Sequence, residues 1–104
     1  MSNWIGEAYV NADGSWTNVD SSMSSVTRMS AGVYKCVCDN SQNEADVYAT
    51  IEPMEDSAST DRVRKLVPQY VDESGKPGVI ARFVKESDGT PIDCRFRVTF
   101  EVKD

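Results

Sequence analysis

The chain contains no histidine. That removes at once the side chain most often used as a general base, as a metal ligand and as a switch near neutral pH. Cysteine is scarce and odd in number, with only Cys36, Cys38 and Cys94, a poor basis for a disulfide framework. Bases are outnumbered too, eleven against seventeen acids, for a net charge of −6. They are scattered, and the densest group is Arg62-Val63-Arg64-Lys65. Binding to phosphate backbones rests on clustered Lys and Arg, so no nucleic-acid partner is expected. No apolar run approaches the roughly 18 residues that span a bilayer. Residues 1–4 lack the basic and apolar regions of a signal peptide. A membrane is therefore not an expected partner, and the chain reads as a soluble domain translated without an export tag.

What is present is ordinary for a globular protein. Of 104 residues, 39% are hydrophobic and 27% charged, which is not the composition of a disordered chain. A chain of this length buries roughly 65% of the surface it exposes when unfolded. That supports one core and one domain, residues 1–104. Cys36 and Cys38 stand two apart in a strand-like segment, so both leave the same face, about 6.6 Å apart along it. Such spacing strains a bridge between them. A zinc site wants four ligands, which three cysteines without histidine do not supply. The thiols are expected to be reduced and to serve as small hydrophobes in a protein assembled in a cytoplasm. No cofactor is expected.

The dominant signal is alternation with period two. In residues 92–102, Ile92, Cys94, Phe96, Val98, Phe100 and Val102 point one way, while Asp93, Arg95, Arg97, Thr99 and Glu101 point the other. No helical face can be drawn through that pattern, so it predicts a long half-buried strand. Its polar face mixes both signs of charge, as a solvated or subunit-facing surface does. Residues 4–11, 23–29, 33–38, 46–52 and 79–85 follow the same grammar between turn residues. Asp13-Gly14 and Asp88-Gly89 suit turns that need positive φ, and Pro53 is expected to stop the strand before it. Residues 62–71 also fit a helical stripe, but Pro68 would break its interior. A strand is the better reading, with Pro68 implying an edge or a bulge. About seven strands and no helix predict an all-β antiparallel sandwich, in the immunoglobulin or jelly-roll manner.

Chemistry is thin. Serine and cysteine nucleophiles have no histidine to activate them, and no phosphate loop or zincin motif occurs. No catalytic residue is expected, and the chain reads as a non-enzyme. Paired acids such as Glu55-Asp56 and Asp72-Glu73 read as solvated turns. Glu52, Glu55, Asp56 and Asp61 are the acids that could hold an oxygen-ligated cation, but no metal site is expected. Trp4, Trp16, Tyr9, Tyr34, Tyr48 and Tyr70 could stack on a sugar, though aromatics more often fill a core or a subunit seam. Trp16, in a polar loop after a turn, is the one expected at the surface and the candidate ligand contact.

Three stretches carry a resemblance. Residues 8–15 (AYVNADGS) resemble the strand-then-glycine-turn opening of phage tail-fibre and appendage tip domains. Val26, Arg28, Gly32 and Tyr34 match their hydrophobic-x-R-x-x-x-G-x-Y centre. Asp93, Phe96 and Val98 resemble their closing D-x-x-F-x-V strand. The same grammar is similar to the jelly rolls of tumour-necrosis-factor-like heads. The resemblance implies a jelly-roll sandwich that forms a homotrimer on a virion surface, one flat face of each protomer around the threefold axis. It implies that Tyr34 and Phe96, with Val98 and Phe100 on the same strand, are core or near-axis positions and that Gly32 is the turn. No stalk is attached, which resembles a capsid decoration (cement) protein or a separate fibre head docked on a capsid or tail protein. The alternative it leaves open is a module at a tail-fibre tip that binds a host receptor or glycan. An acidic balance would keep such a surface soluble.

Overall fold

A computed structural model describes residues 3–19, 23–39, 47–54 and 62–102, with residues 3 and 4 described by their backbone alone. The described residues form nine strands: β1 (Asn3–Val10), β2 (Trp16–Asn18), β3 (Met23–Ser30), β4 (Val33–Cys38), β5 (Val47–Met54), β6 (Val63–Lys65), β7 (Gln69–Glu73), β8 (Lys76–Lys85) and β9 (Arg95–Val102). They build two antiparallel sheets. Sheet I runs β2-β1-β9-β5. Sheet II runs β3-β4-β8, and the far edge of β8 is shared in tandem by β7 and β6. An all-β antiparallel sandwich follows, as the alternation predicts.

The strand count is nine and not seven, for two local reasons. Three-residue β2 pairs with β1 through Val10↔Trp16 and Ala8↔Asn18, and so short a strand shows no full hydrophobic period. Residues 62–71 hold two strands, because residues 66–68, ending in Pro68, leave the ladder between β6 and β7. Both lie at a sheet edge, where proline is tolerated. Pro53 does not stop β5, which continues to Met54 with Pro53 opposite Phe96. Ala49 shares the parity of Pro53, and its N–H points away from β9 to the Tyr70 hydroxyl, 2.8 Å. The N–H that proline lacks would face the sheet edge, so no ladder bond is lost. The last strand begins at Arg95, later than the alternation from Ile92 suggests. Asp46 lies outside the described residues.

The core lies between the sheets. Ala8, Val10, Val47, Ile51, Phe96, Val98 and Phe100 face inward from sheet I. Met23, Tyr34, Cys36, Cys38, Val79, Ala81 and Phe83 meet them from sheet II. At its centre the rings of Tyr34, Phe83 and Phe96 stand 4.9 to 5.9 Å apart, tilted against one another. Each such side chain contributes roughly 2–3 kcal/mol by leaving water. The three thiols are buried and unbridged. Burial pushes Cys36 up to about 12, so it stays a neutral, unreactive hydrophobe.

Candidate functional site

Residues from each of the three stretches of the resemblance, Ala12 and Gly14, then Arg28, Gly32 and Tyr34, then Asp93, meet at one end of the sandwich. Asp93, between β8 and β9, is the hub. Its Oδ1 accepts from Arg28 Nε at 3.0 Å and from the Gly32 amide at 2.8 Å, and its Oδ2 pairs with the Arg28 guanidinium at 2.9 Å. The Tyr34 hydroxyl donates to the Ala12 carbonyl at 2.7 Å and accepts from the Cys94 amide at 3.2 Å. Three chain connections, β1–β2, β3–β4 and β8–β9, are thus tied by one carboxylate and one phenol. Glycine is needed twice here. Gly32 has φ +70, and a Cβ there would lie 2.6 Å from the Phe83 carbonyl oxygen. Gly14 has φ +93, and its Cβ would meet Arg28 at 2.8 Å. Burial opposes ionisation of Asp93, but the Arg28 and Gly32 hydrogen bonds outweigh it and hold the carboxyl below its ordinary value. Burial pushes the Tyr34 phenol up to about 12. This is a structural lock.

The outer face of sheet I is a polar-aromatic platform. Because Phe96, Val98 and Phe100 face the core, Arg97, Thr99 and Glu101 face outward. Glu7 lies opposite Thr99, and Tyr9 opposite Arg97, on one side of β9. Tyr48, Thr50 and Glu52 lie opposite Glu101, Thr99 and Arg97 on the other. Arg97 Nε reaches Glu7 Oε2 at 2.6 Å, and the Tyr48 hydroxyl donates to Glu101 at 2.9 Å. Glu7 is only 7% exposed and Thr99 5%, unusual for polar residues on an outer face. Tyr9 stands beside them at 41%.

The outer face of sheet II is different in kind. Val37, Ile80 and Val84 are buried among their strand neighbours there. Lys35 pairs with Glu73, and Lys76 with Asp39 at 2.6 Å. Arg64 and Arg82 form no ion pair among the described residues. The edge of sheet I is closed from this side. The Tyr70 hydroxyl accepts the Ala49 amide of β5, and Lys65 Nζ donates to the Ile51 carbonyl at 2.8 Å. Capping those groups blunts an edge that would otherwise accept a further strand.

Tyr34, Phe96, Val98 and Phe100 all lie fully buried between the sheets of a single chain, so a subunit contact must use other residues. Trp16 does not stand out from a loop. It opens β2 opposite Val10, half-buried against the core. The aromatics do not converge: Tyr9 and Tyr48 share the outer face of sheet I, Tyr34 is central, and Tyr70 caps an edge. The side chain of Trp4 is outside the description. Of the acids considered for a cation, Glu55, Asp56 and Asp61 lie outside the described residues, while Glu52 sits exposed on sheet I. Among the described residues no group of three acids or thiols could hold a metal. Sequence reading missed Glu7 and Thr99 as buried polar positions. A charged residue in alternation shows its face, and only the partner strand decides its burial.

No protein-family model matches the chain, and no curated protein or solved structure matches it either.

Proposed function

We propose that the protein is a non-enzymatic structural protein of a bacteriophage virion, a homotrimeric capsid decoration or fibre-head protein that acts by adhesion. The observation that carries this reading is the outer face of sheet I. At its centre Glu7 is matched by Arg97 and Tyr48 engages Glu101, while Glu52 and Arg95 toward its margin form no ion pair among the described residues. That centre can be covered by a neighbour without stranding the Glu7–Arg97 pair, and tyrosine and arginine are the residues that interfaces favour. The strand order adds support for a jelly-roll topology. The first strand pairs with the last in sheet I, and β4 pairs with β8 in sheet II, as when one long hairpin winds between two sheets. The chain would assemble in the host cytoplasm and reside on the virion surface, held to a capsid or tail protein.

Light scattering on a sizing column across a dilution series tests the assembly. The expected species is close to three times 11.5 kDa, and Tyr9→Glu should reduce it to a folded monomer. A wild-type monomer at every concentration overturns the trimer. Immunogold labelling of particles made from the encoding genome tests the location. Gold on the particle surface is the expected result, and unlabelled particles overturn it.

A further inference from the structure

In a chain with seventeen acids and eleven bases, a cation without a carboxylate beside it needs an explanation. Arg28, Lys35, Lys76 and Arg97 each hold one, and Lys65 is engaged by the Ile51 carbonyl. Arg62, Arg64, Arg82 and Arg95 form no ion pair among the described residues; Arg95 stands alone on sheet I, while the other three stand together on sheet II. Phe83 faces the core, so Arg82 and Val84 face outward from β8. Arg64 lies directly opposite Val84, and the Leu66 amide donates to the Arg82 carbonyl at 2.9 Å. Arg62 shares the face of Arg64, about 6.6 Å further along the strand. Arg64 and Arg82 are diagonal neighbours, about 7 Å apart at the backbone. One acid, Glu86, lies across from Arg62 through a backbone bond of 2.9 Å.

We propose that this β6–β8 corner of sheet II binds an anionic polysaccharide carrying repeated carboxylate or sulfate groups. Like charges set side by side repel, and an oxyanion between them removes that cost while accepting paired guanidinium hydrogen bonds. The three positions are several ångströms apart, which suits anions repeated along a polymer better than one isolated phosphate. Val84 and Leu66 lie between the arginines and give the uncharged ring faces an aliphatic floor.

Other polyanions fit less well. A peptide adding as a strand would need a continuous edge, and β6 and β7 are interrupted at residues 66–68. A bilayer is the closest competitor, because Val67 is 88% exposed beside Leu66. An anionic bilayer, however, presents a whole plane of charge to a molecule of net −6, and repulsion elsewhere opposes the contact. The corner is a different surface from the platform on sheet I, so the site works whether or not the chain is a trimer.

Calorimetric titration tests the proposal, with a heparin hexasaccharide and an oligogalacturonate as sulfated and carboxylated probes. Both should bind, and added salt should weaken both. Arg64→Ala with Arg82→Ala should lower affinity by at least about tenfold, while Arg95→Ala, on the other sheet, should change it less than about twofold. Neutral dextran should give no heat. Failure of both anionic probes to bind the wild type overturns the proposal. So does unchanged binding by the double variant, or equal binding to inorganic phosphate, to oligoglutamate or to phosphatidylglycerol vesicles.

Discussion

The two outer faces of this sandwich carry charge differently at their centres. On sheet I the buried Glu7 is answered by Arg97, and the Tyr48 hydroxyl engages Glu101. On sheet II the charges at the β7 end are answered, Lys35 by Glu73 and Lys76 by Asp39, while Arg64 and Arg82 at the β6 end are not. A pair already largely out of water, as Glu7–Arg97 is, loses little more when a neighbour covers it, and unmatched charge attracts a partner of opposite sign. The two proposals thus fall on different surfaces: a paired, half-buried centre on sheet I for a second copy, and unpaired arginines on sheet II for an anion.

Both faces depend on the lock that ties three turns together, so breaking it should have the largest effect. Gly32→Ala places a Cβ 2.6 Å from the Phe83 carbonyl oxygen and 2.9 Å from both the nitrogen and the oxygen of Ile92, at φ +70. Backbone atoms cannot move aside as a side chain can. A loss of about 3 kcal/mol is expected, a large share of the stability of a small domain. Urea unfolding followed by tryptophan fluorescence measures it, and a midpoint like the wild type's would show that the lock is dispensable.

The second effect depends on pH. The Asp93 carboxyl is held below its ordinary value in the fold, so its ionised form favours the native state. That stability is fully present above the unfolded pKa of about 4 and is lost as pH falls through the folded value. Asp93→Asn should cost about 1–2 kcal/mol at neutral pH, from weaker bonds to Arg28 and Gly32. The gap between variant and wild type should narrow below about pH 4. A gap that stays constant with pH would show that the charge plays no part.

The third prediction separates the faces directly. Glu7→Gln removes the carboxylate that Arg97 Nε reaches, in a place largely closed to water. About 2 kcal/mol should be lost, with dissociation of any trimer that uses this platform. If scattering shows an intact trimer despite the loss of stability, sheet I is not the face between copies.

How much of this was legible beforehand follows from range. Alternation is local, so β4 and β9 could be read from their own residues. The same alternation put Cys36 and Cys38 on one face, where they lie. Strands of three residues, such as β2 and β6, are too short to show a period. The end of β5 depended on which side of Pro53 faces β9, a fact of pairing and not of composition. The lock was half visible. Arg28, Gly32, Tyr34 and Asp93 could be picked out as a pattern, but a bond between residues 65 apart is set by how the sheets stack. Glu7 and Arg97 meet only because the first strand lies against the last. The unpaired arginines needed both strand register and a tally of every other ion pair.

The smallest expected effect is the sharpest contrast with Glu7. Arg82→Ala removes a charge that no described carboxylate answers and that stands diagonal to Arg64. Its loss breaks no ion pair and relieves some repulsion, so stability should shift by no more than about 0.5 kcal/mol, in either direction. A clear destabilisation in urea would mean that Arg82 already serves the fold, through its aliphatic stem on Val33 and Val84. The corner would then be a structural surface and its charge incidental. No shift in stability together with lost binding to the sulfated probe would mean the reverse. The residue would then be kept for what it meets outside the chain, as Glu7 is kept for what it meets within it.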